Sequence, residues 1–142
     1  MIKTNNSFIF NSLEILMFFC LLSSMNLSAQ QIEFEQRLIS MPGWKIMQDG
    51  RLGNCITCHT IQLSEKSVKE KQGNFAPALS KVGAKYTPDQ LRQWVTDARR
   101  INPETLMPPY GSQVGINNPN VLKPLLDSQQ INDVVDVLVM LK

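Results

Sequence analysis

The chain has 142 residues, of which 43% are hydrophobic and 18% charged. That is apolar material for one packed domain and too little charge for general disorder. Fourteen Lys and Arg against 12 Asp and Glu leave a net charge of only +2, and no block of five or six like charges occurs, which argues against a nucleic-acid-coating protein.

The N-terminus reads as a targeting segment. Lys3 is followed by an apolar run from Phe8 to Leu22, broken by Asn11, Ser12 and Glu14, and then by Leu27-Ser28-Ala29. This order of positive charge, apolar stretch and small-residue site predicts a secretory signal peptide over residues 1–29 and a mature domain over residues 30–142. The uninterrupted apolar part, Ile15 to Leu22, is shorter than the ~20 residues a bilayer span needs, so no membrane span is expected after cleavage; an uncleaved anchor is the alternative. Bulky Phe19 before Cys20 argues against lipoprotein processing. Export with cleavage leaves two cysteines, Cys55 and Cys58.

A short helix is expected between Ser40 and Gly50, with Pro42 at its first position, Gly50 as a left-handed stop, and Trp44, Ile46 and Met47 facing inward. The mixed charges from Gln62 to Asn74 predict a solvated loop or exposed helix, and Phe75 to Leu79 an apolar loop around Pro77. Thr87-Pro88-Asp89-Gln90 is a helix start with a capping box. Leu91, Trp94, Val95 and Ala98 follow at helical spacing, and Pro103 predicts a stop near Asn102. Met107-Pro108-Pro109-Tyr110-Gly111 cannot be regular helix, and Pro119 and Pro124 keep the chain irregular to Leu126. Asp127 and Gln130 offer a second capping box for a last helix with Ile131, Val134, Val135, Leu138 and Leu141 as its apolar stripe. No strand alternation is visible. Loops this long between so few helices need something to pack against, and a buried prosthetic group would supply it.

Cys55-Ile56-Thr57-Cys58-His59 is the C-x-x-C-H spacing of covalent c-type haem attachment. Two thiols bond the porphyrin edge and the adjacent imidazole binds the iron, and an exported location agrees with it. A thiol–disulfide site would want a βαβ context, which is missing. A zinc site needs four ligands, and the mature chain has no other Cys or His. His59 is the only histidine, so a sixth iron ligand is Met, a rarer group such as Lys or a terminal amine, or nothing. Met41, Met47, Met107 and Met140 remain after cleavage. Met107, in a proline-stiffened loop after the motif, is the candidate, and Met47 and Met140 read as packing. A ligating imidazole donates its other N–H to a carbonyl or carboxylate, and the Pro77 carbonyl is the candidate. Once both thiols are tethered, the mature chain holds no cysteine nucleophile.

Taken together, the leader, C-x-x-C-H, Pro loop, Met loop and last helix look like a class I monohaem cytochrome c. The segments from Gly53 to His59, from Val82 to Thr87, and Asp97-Ala98-Arg99-Arg100-Ile101-Asn102-Pro103-Glu104-Thr105-Leu106-Met107-Pro108-Pro109-Tyr110 resemble the SoxX family, the monohaem subunits of SoxAX complexes of thiosulfate oxidation. The resemblance runs from about Trp44 to Lys142. It implies a mostly α fold with helices and long loops around one covalent haem c, and His59 and Met107 as axial ligands. It also implies a periplasmic heterodimer with SoxA. That complex, an L-cysteine S-thiosulfotransferase, couples thiosulfate to a cysteine of the carrier SoxYZ and passes electrons to a cytochrome acceptor. The subunit itself is not catalytic alone. Pro77, Arg99, Arg100 and Tyr110 are expected around the haem, the arginines at propionates or an acidic partner surface. Where the family usually has a Gly-Pro-Pro-Leu type loop, this chain has Ala76-Pro77-Ala78-Leu79. The rival reading is a free-standing periplasmic electron shuttle. A permanent subunit is expected to expose an apolar patch, with Tyr110, Pro108, Pro109 and the segment from Gly111 to Pro119 as candidates. A third reading, a haem sensor with an open sixth site, is disfavoured by Met107.

Overall fold

Helix α1, Pro42–Gln48, begins as expected with proline at its start, where a missing N–H costs nothing. Its end differs from expectation. The stop is Asp49, in extended conformation, whose N–H bonds the Lys45 carbonyl at 3.0 Å. The Asp49 carboxylate then accepts the Arg51 N–H at 2.8 Å. A side-chain turn thus does what a left-handed Gly50 was expected to do, and Gly50 lacks a positive φ.

The structure, a computed structural model, describes residue 17 and residues 28–63, 71–116 and 123–142. It divides into two units, Met1–Phe34 and Glu35–Lys142. Of the first, residues 17 and 28–34 are helical; the rest of the expected leader lies outside the described residues, as does Pro119. No helix among the described residues is long and apolar enough to cross a membrane.

In the second unit, residues 35–40 are helical and bury Leu38. Helix α2 is the four-residue turn Val82–Lys85. Helix α3, Pro88–Asp97, carries the expected capping box: Thr87 accepts the Gln90 N–H, and Gln90 accepts the Thr87 N–H at 2.8 Å. It buries Leu91 and Val95 and continues as a 3-10 turn, Ala98–Arg100. Trp94 is half-buried, its ring 6.5 Å from that of Tyr86.

Helix α4, Ser128–Met140, starts at the Asp127–Gln130 capping box. All five stripe residues are buried, and Val137 as well. The wider buried face follows from its position, packed against α1, α2 and α3. Each such aliphatic side chain contributes about 1.5–3 kcal/mol on burial. The α1–α4 approach is too close for any side chain at Gly43, where a Cβ would lie 1.9 Å from the Asp133 carbonyl oxygen. This helical core, with Trp44, Ile46 and Met47 buried on α1, supports the irregular segments between α1 and α4. No strand occurs among the described residues.

Candidate functional site

The C-x-x-C-H segment leaves α1 through a tight turn. The Asp49 carbonyl accepts the N–H groups of Leu52 and Asn54, at 3.0 and 3.1 Å, and the Ile46 carbonyl accepts that of Gly53 at 3.0 Å. A Cβ on Gly53 would come within 2.8 Å of the Ile46 oxygen and 3.3 Å of Cys55 Sγ. Asn54 adopts φ 47°, the left-handed region that asparagine tolerates. Cys55–Thr57 is a 3-10 turn anchored by buried Ile56, and His59 N–H closes it on the Cys55 carbonyl at 2.9 Å. The tight turn keeps the two thiols and the imidazole in one short arc. Both cysteines are free thiols. Burial pushes the Cys55 thiol up to about 12; a thiol held neutral is a poor exchange nucleophile. Among the described residues no group of three or more His, Cys, Asp or Glu could hold a metal ion.

His59 Nδ1 lies 2.7 Å from the Pro77 carbonyl oxygen. A carbonyl only accepts, so Nδ1 carries the proton and Nε2 keeps its lone pair. The loop that presents Pro77 is latched to the motif by main chain: Gly73 N–H to the Ile56 carbonyl at 2.8 Å, Ala76 N–H to Cys58 at 2.9 Å, and Leu79 N–H to Thr60 at 2.8 Å. The Thr60 hydroxyl donates to the Gly73 carbonyl at 2.7 Å, and the Gln72 side-chain amide pairs with both main-chain groups of Ile61. At Gly73 a Cβ would sit 1.9 Å from the Thr57 oxygen. The position of the Pro77 oxygen is therefore set by backbone, not by the side chains of Ala76 and Ala78. The segment Gln62 to Asn74, expected to be solvated, thus contains two residues, Gln72 and Gly73, that position the site; residues 64–70 lie outside the described residues.

Met107 is half-buried on the loop after α3, its N–H on the Thr105 hydroxyl at 3.2 Å. Tyr110 closes that loop. It is 8% exposed, so it is not part of an exposed patch. Its phenol is pushed upward first by burial and then by the charge interaction with Cys55 and Cys58. The Tyr110 carbonyl accepts the Leu126 N–H at 2.8 Å.

The two arginines go to different places. Arg99 turns its guanidinium to Asp97, Nε to Oδ1 at 2.8 Å and an η nitrogen to Oδ2 at 2.9 Å. That η nitrogen also donates to the Val114 carbonyl at 2.6 Å. The guanidinium beside Asp97 holds its carboxyl well down, to about 2. Arg100 is exposed and lines a shallow surface cavity of about 410 Å³ with Arg92, Gln93 and Thr96. Asp97 stood in the resembling segment without an expected role. Nothing in its spacing marks it, because residues two apart on a helix do not face each other.

Two thiols in one turn, an adjacent imidazole whose Nδ1 is held by the Pro77 carbonyl, and a thioether on the loop that Tyr110 closes make a donor set that fits a covalent haem. The cytochrome c family profile matches residues 40–142. Among solved structures, the crystal structure of SoxXA from P. pantotrophus is similar at 34% identity and a TM-score of 0.63, over 70% of this chain and 80% of that chain. A search of curated proteins gives no match.

Proposed function

Because the chain belongs to the cytochrome c family and is a SoxX-like cytochrome within it, we propose that it is the electron-transfer subunit of a SoxAX complex. In this reading Cys55 and Cys58 hold one haem c, and His59 and Met107 bind its iron. The haem, when bound, supplies a one-electron couple whose potential a thioether ligand raises. Pro77 orients the imidazole and fixes its tautomer. Buried Tyr110 keeps water from the thiol side. The leader over residues 1–29 exports the chain to the periplasm and is removed there.

The observation that carries the reading is the 2.7 Å contact between His59 Nδ1 and the Pro77 oxygen. It leaves Nε2 as the only imidazole nitrogen able to donate a lone pair, beside two thiols. The sulfur chemistry belongs to the partners. With both thiols tethered, the mature chain offers no persulfide site; coupling thiosulfate to a carrier cysteine on SoxYZ releases two electrons, and a haem held at Cys55 and Cys58 would supply the one-electron couple that hands them to a cytochrome acceptor. The similarity to a SoxXA structure supports a lasting partner such as SoxA over a free shuttle.

The test is co-purification with SoxA, followed by stopped-flow reduction of this haem on adding thiosulfate and SoxYZ. Reduction only in the complete mixture is expected. A monomer that ignores SoxA and exchanges electrons with unrelated oxidases would overturn the assignment.

A further inference from the structure

The loop from Ile101 to Tyr110 has both ends on the end of α3. It starts there covalently, with Ile101 and Asn102 N–H groups on the Ala98 carbonyl at 3.0 and 2.9 Å. It returns there at Gly111, whose N–H donates to the Thr96 carbonyl at 2.9 Å. Such a closed-neck loop is held by what crosses its neck. At Gly111 the chain passes close to α4 and α3, since a Cβ would lie 2.4 Å from Ile131 Cδ1 and 3.1 Å from Thr96 Cγ2, and a side chain there would require Ile131 to shift.

Next to that single main-chain bond stands the Asp97–Arg99 pair. Asp97 is 3% exposed and has φ −160° and ψ 91°, an extended break at the end of α3. That break turns two side chains, which a continuing helix would separate, onto each other. The Asp97 carboxylate accepts from Arg99 Nε and from an Arg99 η nitrogen. The same η nitrogen reaches the Val114 carbonyl. Val114 lies on the segment that has just returned from Met107. The pair therefore ties the departing end of the loop to its arriving end, across the neck.

We propose that Asp97 and Arg99 are positioning residues that close the neck of the Met107 loop and so hold the thioether for the iron. The proposal rests on the reading of Met107 as a ligand given above. It makes the Arg99 fork specific. A lysine keeps the charge but loses the two-point grip on Asp97 and the simultaneous reach to Val114. Loss of Arg99 also leaves Asp97 a buried, uncompensated charge, which drives the neck open.

The test uses the haem-loaded protein and four variants: Arg99→Gln, Arg99→Lys, Asp97→Asn, and Arg92→Gln as an exposed control on α3. Two readouts follow the thioether, the weak far-red band of the ferric protein and the rate at which added imidazole replaces the ligand. Thermal melting is recorded alongside, with Val137→Ala as a core variant that lowers stability away from the neck. Imidazole entry is expected to speed up by about tenfold in Arg99→Gln and Asp97→Asn, the equivalent of one charged hydrogen bond. Arg99→Lys should fall between them and the wild type, while Arg92→Gln and Val137→Ala match the wild type. Variants that melt earlier but exchange at the wild-type rate, with the far-red band intact, would overturn the clamp alone. A wild-type protein without that band would overturn the Met107 reading, and the clamp with it.

Discussion

The two loops that flank the motif are held by different chemistry. The Pro77 loop is latched mainly by backbone groups, with one side-chain amide and one hydroxyl beside them: Gly73, Ala76 and Leu79 bond to main chain in or beside the motif, Gln72 pairs with Ile61, and the Thr60 hydroxyl donates to the Gly73 carbonyl. The Met107 loop crosses its neck with one main-chain bond and a side-chain ion pair. A backbone latch tolerates changes of side chain wherever no Cβ collides. A side-chain clamp fails with a single substitution. This explains how the loop around Pro77 departs from the usual Gly-Pro-Pro-Leu type while the Pro77 oxygen still reaches His59 at 2.7 Å.

The largest expected effect is at the proposed ligand, Met107. Met107→Ala should abolish the far-red band and lower the midpoint potential by more than about 0.1 V, because axial ligands span a wide range of potentials. Met140→Ala, in α4, should leave both unchanged. Spectroelectrochemical titration of the two variants checks this.

Next is Gly73→Ala, the substitution the backbone latch cannot absorb. Its Cβ would meet the Thr57 carbonyl at 1.9 Å, backbone against backbone, so unfolding free energy should fall by roughly 3 kcal/mol. Denaturant unfolding of the holoprotein measures it.

A smaller effect separates the clamp from the latch by pH. Asp97 sits near 2 when folded against a usual 3.8. Its contribution is thus complete above about pH 4 and is lost as pH falls toward 2. The melting-temperature gap between wild type and Asp97→Asn should be full at pH 5 and shrink steadily to pH 2. A gap independent of pH in that window would assign the pair another role. The smallest effect is Ala76→Gly, which keeps the N–H that bonds Cys58. It should cost about 1 kcal/mol or less and leave the spectrum untouched.

Helices with local signals were legible before the structure. Thr87–Gln90 and Asp127–Gln130 write their own caps, and the α4 stripe from Ile131 to Leu141 repeats at helical spacing. The motif carried the site, since C-x-x-C-H gathers thiols and imidazole in five residues. What stayed hidden depends on tertiary contact. Asp97 and Arg99 meet only because the chain breaks to φ −160° between helix and 3-10 turn. Gln72 reads as one more polar loop residue until its amide pairs with Ile61. Helix α2 has four residues, too few for a period, and is held from outside by the Gly83 N–H on the Leu141 carbonyl at 2.8 Å. Tyr110 looked like part of an exposed Pro-rich surface; it is buried where the loop end is held by the Leu126 and Gly111 N–H groups.

The central claim is that Cys55, Cys58 and His59 build a covalent haem site. Its most direct measurement is the mass of the purified protein after acid–acetone extraction, followed by mapping of the adduct. The account predicts one haem retained per chain, carried by the peptide that contains Cys55 and Cys58. Complete extraction of the colour, leaving both thiols unmodified on a chain of unadorned mass, would contradict it.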